Sequence, residues 1–153
     1  MKKITLCLYF FILVGCVGYE PLLSTKNLSF YIENIENIND NPITKKISYK
    51  LKNKSLEVDG KRKYILRVNS NNKDIITSKD SRGVAATYEM TINVEVEVFY
   101  KETTLPMNKF KISKSANYNN QTNKFDLAQY KKVIEENIID KIAQEITIKL
   151  HSL

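Results

Sequence analysis

Residues 88–100 read Tyr88-Glu89-Met90-Thr91-Ile92-Asn93-Val94-Glu95-Val96-Glu97-Val98-Phe99-Tyr100. Tyr88, Met90, Ile92, Val94, Val96, Val98 and Tyr100 fall on one parity, and Glu89, Thr91, Asn93, Glu95 and Glu97 on the other. Successive side chains of an extended strand point to opposite faces. The period of two therefore predicts one long strand with a dry face and a wet face. Wound as a helix, the same stretch would scatter its apolar groups all round. A sheet that is dry on one side only needs a second layer over that side.

Working outward, Lys79-Asp80-Ser81-Arg82-Gly83 marks a turn before this strand. Tyr64, Leu66 and Val68 alternate ahead of it, predicting a strand that continues to Ile75-Ile76 with a bulge or kink at Asn71-Asn72. After Thr103-Thr104-Leu105-Pro106, the shared parity of Phe110, Ile112, Ala116 and Tyr118 predicts another strand. Lys114 interrupts its apolar face, as happens near a sheet edge. Short connections make these three strands antiparallel. Further upstream, Leu28 to Ile35 reads as a first strand, and Asn39-Asp40-Asn41-Pro42 as a helix start, because proline is tolerated at the first helical position. Ile43, Ile47 and Leu51 line one face of that helix; Lys45, Lys46, Lys50 and Lys52 line the other. It ends before Asp59-Gly60. The closing helix carries Leu127, Tyr130, Ile134, Ile138, Ile142 and Ile146 at helical spacing and runs to about Leu150. Asp126 with Gln129 predicts a capping box at its start. The expected fold is α+β: a two-layer sandwich in the order β-α-β-β-β-α. A mostly antiparallel sheet of about four strands has two helices packed on one face.

The front of the chain sets the compartment. Lys2 and Lys3 precede an apolar run, Ile4 to Val14, that closes on Leu13-Val14-Gly15-Cys16. The run is about half the length a membrane-spanning helix needs. It reads as a secretory signal ending in a lipobox, with residues 1–15 removed and Cys16 acylated. Several acyl chains hold a protein firmly, since each buried methylene contributes roughly 0.8 kcal/mol. Resemblance to bacterial lipoproteins, many of which are retained in the inner membrane by an Asp where Val17 stands, implies the outer membrane. Residues 16–27 form the acylated cysteine and its tether, and 28–153 a single domain.

Of 153 residues, 138 remain without the first 15, enough for one core. Formal net charge is +7, about +5 once Lys2 and Lys3 are gone. That charge suits anionic lipid or lipopolysaccharide phosphates. A chain rich in Lys, Asn and Ile throughout, as AT-rich genomes encode, would carry it without any partner. Cys7 lies in the signal and Cys16 takes lipid, so the mature domain has no disulfide. The one histidine, His151, sits at the end, and no Cys/His cluster offers a zinc site. No catalytic constellation is present. Glu95 with Glu97 falls on the wet sheet face and Glu135 with Glu136 on a helix exterior, both read as solubilising charge. Lys79, Arg82, Lys109, Lys111, Lys114 and Lys124 are candidates for phosphate or carboxylate contacts. The compartment excludes nucleic acid.

Cys16 followed by Gly18-Tyr19-Glu20-Pro21-Leu22 resembles the Cys-Gly-aromatic-x-Pro-Leu start of the LPS-assembly lipoproteins, the LptE family, with Val17 as an extra residue. Ala86-Thr87-Tyr88-Glu89-Met90-Thr91-Ile92-Asn93-Val94 resembles the family's central strand, and the helix from Phe125 to Leu150 its closing helix. The resemblance implies an outer-membrane lipoprotein that plugs the lumen of the LPS-assembly β-barrel, LptD, and aids lipopolysaccharide transport to the surface. It implies no enzyme activity and no cofactor beyond the lipid on Cys16. Arg82 and Lys124 are the positions nearest to basic residues linked in the family to lipopolysaccharide contact. An accessory lipoprotein of another envelope or secretion complex is the alternative expectation, and a lipid-anchored enzyme a third.

Overall fold

The computed structural model describes residues 30–55, 62–101 and 103–153. Strand β1 (Phe30–Asn37) leads into helix α1 (Pro42–Lys54). Strands β2 (Arg62–Lys79), β3 (Ala85–Tyr100) and β4 (Asn108–Asn119) follow, and helix α2 (Lys124–His151) closes the chain. The four strands form one sheet in sequence order. β1 pairs parallel to β2 through the α1 crossover, and β2–β3–β4 is an antiparallel meander. The α+β expectation and its element order match.

Each helix starts where its sequence allows. Asn41 caps α1 by accepting the Ile43 N–H at 2.9 Å, with Pro42 in the first turn. Ile43, Ile47 and Leu51 are buried against β1 and β2. Asn123, not Asp126, caps α2: its side chain accepts the Phe125 N–H at 2.9 Å. The helix thus begins one turn ahead of the predicted capping box, and Asp126 lies in its first turn, where its charge suits the helix dipole. The buried stripe of α2 comprises Ile138, Ile139, Ile142, Ala143, Ile146 and Leu150. Leu127 and Ile134 are only half-buried and Tyr130 is exposed, so the apolar spacing runs further than the core does.

The core joins these helix faces to Tyr64, Leu66 and Val68 of β2 and Met90, Ile92, Val94, Val96 and Val98 of β3. Each fully buried aliphatic side chain stabilises the fold by about 1.5–3 kcal/mol. Ser70 ends the apolar series of β2. Its hydroxyl meets Thr44 Oγ1 at 2.6 Å and its carbonyl accepts the Asn39 amide at 2.7 Å, so the start of α1 is tied to the middle of β2 by satisfied polar groups. Beyond Ser70 the same parity of β2 turns polar at Asn72 and Asp74, and Asp74 pairs with Lys131 of α2.

Three strand expectations change. β2 passes Asn71 and Asn72 without a kink, each paired in register with β3; its irregularity lies at Ile76–Lys79 instead. Cross-strand partners Asn93 and Ile92 keep the ladder intact there. Tyr100 ends β3 41% exposed, although it shares the parity of the buried Val96 and Val98. Phe99, on the wet parity, is buried to 6% under the Arg67 guanidinium, 4.8 Å above its ring. β4 is an edge strand as Lys114 suggests; that lysine pairs with Glu145 of α2 at 2.6 Å.

Candidate functional site

The far end of the sheet is built by two connections. In the β2–β3 turn, Asp80 organises the backbone. Its Oδ1 accepts the Arg82 and Val84 N–H groups, each at 2.9 Å, and its Oδ2 accepts the Arg82 guanidinium at 3.1 and 3.2 Å. Gly83 takes φ +82°, the left-handed conformation that glycine adopts most easily. The Val84 N–H first, and then Arg82, hold the Asp80 carboxyl below the usual carboxylate range. Arg82 is thereby held at its root while its side chain stays 82% exposed.

The β4–α2 connection meets this turn. Asn120 donates its backbone N–H to Ala86 at 2.9 Å and its side-chain amide to Ala85 at 2.7 Å. Asn123 then starts α2, which places Lys124 at the first helical position. The two connections enclose an open cleft of about 490 Å³, with Arg82 and Lys124 among its lining residues. Val84, Tyr88 and Leu127 supply apolar lining, and Asn120, Gln121 and Thr122 supply amide and hydroxyl groups. Tyr88 stacks on Tyr118 at 5.2 Å, and Tyr118 meets the edge of Tyr130. Burial first, and then the Asp74 charge, push the Tyr118 hydroxyl up. Asp74 is in turn paired with Lys131 of α2. Two cations beside an apolar wall favour an amphiphilic anion: the cations take phosphate or carboxylate and the wall takes hydrocarbon.

The remaining sequence candidates have other roles. Lys109 bridges Glu95 at 2.8 Å and Glu97 at 2.9 Å across β3 and β4, and both carboxyls are held down chiefly by that lysine. Glu135 and Glu136 do not point away from the protein, as the helix-exterior reading had it. They face α1, where Lys46 reaches them at 2.7 and 2.8 Å, and Lys50 joins Glu136 and Asp140. Lys79 ends β2 at the tip, exposed. Cys16 lies outside the described residues. Among the described residues no cluster of His, Cys, Asp or Glu could hold a metal, and no helix is long and apolar enough to cross a membrane. The organising roles of Asp80, Asn120 and Asn123 escaped sequence reading. The only signal was their residue type, which is common to every loop of an Asn-rich chain.

A family model described as LptE, lipopolysaccharide-assembly, matches residues 28–150. The chain belongs to the LptE family. Solved lipoproteins share its fold. A minor lipoprotein from Acinetobacter baumannii superposes with a TM-score of 0.62 at 14% identity, covering 82% of this chain and 93% of its own. Rare lipoprotein B from Shewanella oneidensis gives 0.58 at 18% identity, covering 80% and 94%. A lipoprotein from Caulobacter crescentus gives 0.58 at 16%, covering 77% and 88%. No match to a curated protein sequence was found. In this LptE-family chain the arrangement of Arg82, Lys124 and the apolar wall sits at the end of the sheet furthest from Phe30.

Proposed function

We propose that this LptE-family protein is an acylated outer-membrane lipoprotein that plugs the LPS-assembly barrel, LptD, assists its assembly, and contacts lipopolysaccharide through the Arg82–Lys124 cleft. The family match across residues 28–150 carries the reading. The work is binding and shape, without catalysis or a cofactor beyond lipid on Cys16. Two features support it. The sheet face away from the helices is polar and internally ion-paired around Lys109, as suits the polar interior of a barrel. The cleft also combines cations with an apolar wall, which suits a phosphorylated glycolipid.

The test is affinity purification of the tagged, acylated protein from detergent-solubilised outer membranes. The barrel is expected to co-purify with bound lipopolysaccharide. Arg82→Glu with Lys124→Glu should retain the barrel and lower lipopolysaccharide at least about tenfold, given the strength of charge-assisted contacts. Purification without the barrel would overturn the plug reading. Undiminished lipopolysaccharide on the double variant would overturn the cleft assignment.

A further inference from the structure

The end of the domain opposite the cleft carries its own exposed apolar surface. The β3–β4 connection presents Leu105 78% exposed and Met107 48% exposed, beside Tyr100 at 41%. Leu105 is the most exposed large hydrophobic residue among those described. The connection is organised: Met107 N–H donates to the Val98 carbonyl at 2.8 Å, and Thr103 Oγ1 donates to the Leu105 carbonyl at 3.2 Å. Lys101 is held at φ +54°, a conformation few residues other than glycine adopt, with its ammonium 5.6 Å from the Tyr100 ring.

This end is also where the chain enters the sheet. Phe30 pairs with Arg62, and two residues on, Tyr64 pairs with Tyr100. Phe30 lies fourteen residues after Cys16. That length spans at most about 50 Å whatever its conformation. The 16 residues of β3 put the Arg82 turn roughly 50 Å further away. For the Arg82 end to meet the bilayer, the 14 residues after Cys16 would have to lie fully extended along the whole sheet. The Leu105 end meets it at any shorter extension, so an acyl anchor on Cys16 favours the Leu105 end. Charge agrees: α1 ends here, with Ser55 Oγ accepting the Ile32 N–H at 2.6 Å, and its last turn carries Lys52 and Lys54.

We infer that the β3–β4 connection is a second membrane contact, in which Leu105, Met107 and Tyr100 enter the interface of a phosphate-bearing lipid surface while Lys101 and its basic neighbours meet the headgroups. Apolar side chains with adjacent cations are the combination that partitions to such an interface. The inference rests on lipidation of Cys16 and on neither the barrel nor the cleft, so its failure and theirs are separable.

The experiment uses the full acylated protein in vesicles of phosphatidylethanolamine and phosphatidylglycerol. With Cys16 acylated, a single introduced cysteine takes an environment-sensitive fluorophore, at Leu105→Cys or, as the far-end control, at Val84→Cys. A quencher carried on lipid acyl chains should quench the Leu105 probe several-fold more than the Val84 probe. Adding Met107→Ser and Tyr100→Ser should remove most of that difference. Equal quenching at the two sites would overturn the inference. So would a Leu105 probe shielded from aqueous and lipid-borne quenchers alike, which would mark a protein surface instead.

Discussion

The two halves of the sheet obey the same alternating pattern and come to different ends. Near Phe30, the parity of Leu66, Val68, Val96 and Val98 is closed over by α1 and the second half of α2, and these residues are fully buried. Past Ser70 the same parity of β2 carries Asn72, Asp74 and Ile76, and Ile76 is half exposed. The first half of α2 is likewise less covered: on its inward stripe Leu127 and Ile134 are half-buried and Tyr130 is 37% exposed, and beside them Phe125 is 67% exposed. Alternation makes a face, and only a second layer makes that face a core. Stability therefore concentrates in the near half. On β3 the core runs further, since Met90 and Ile92, opposite Asp74 and Asn72, are fully buried. Beyond them the tip is held by polar turns and an aromatic stack, and the Arg82 side chain stays exposed there although it pairs with Asp80.

The sharpest way to break that contrast is one truncation in each half. Ile142→Ala opens a cavity where α2 is fully buried, and should cost about 2–5 kcal/mol. Phe125→Ala removes a larger side chain from the open half and should change stability by less than about 0.5 kcal/mol. Urea denaturation of both variants at fixed protein concentration checks this. Equal midpoints would show that the far half is packed as tightly as the near one.

The contrast also explains what could be read from the sequence. All six elements and their order along the chain were legible because each is set by periodicity within its own segment, whereas the parallel pairing of β1 with β2 is a long-range contact that no segment encodes. Ile138, Ile142 and Ile146 were found for that reason. Tyr130 and Leu127 share the same spacing yet lie beyond the core, because spacing records which face a residue is on and not what lies opposite it. Phe99 was missed for the converse reason: its cover comes from Arg67, a charged residue on the neighbouring strand. Arg82 and Lys124 were named as separate candidates. Their shared cleft depends on Asn120 bonding to Ala85 and Ala86, a contact across 35 residues that no local pattern encodes.

A smaller effect tests how the far half is held. Asn123→Ala deletes the cap of α2, and such losses typically cost about 1 kcal/mol. The loss should be local. Amide exchange should speed up at Phe125 and Leu127, which donate to Asn123, and remain slow at Ile142. Faster exchange along the whole helix would mean that α2 opens as one unit, and that the two halves are not separate in stability.

The smallest effect lies at the seam between the helices. Lys46 and then Lys50, by hydrogen bonding, lower the Glu136 carboxyl; Glu135 and then Glu136 raise Lys46, and Asp140 chiefly raises Lys50. The signs fix a pH window. A lowered carboxylate contributes stability above its unfolded value, near 4.3, and loses it as pH falls through the folded value. A raised lysine contributes below its unfolded value, near 10.4, and loses it as pH rises through the folded value. The seam is therefore fully formed between about pH 5 and 9. Lys46 and Glu136 are more than a third exposed, so solvent screening keeps the pair below about 1 kcal/mol. Glu136→Gln should lower the urea midpoint slightly at pH 7, less so in high salt, and converge on the parent as pH falls through the lowered folded-state value of Glu136. A Glu136→Gln deficit that persisted unchanged into acid would show that the seam is held by packing of the side-chain stems and not by their charges.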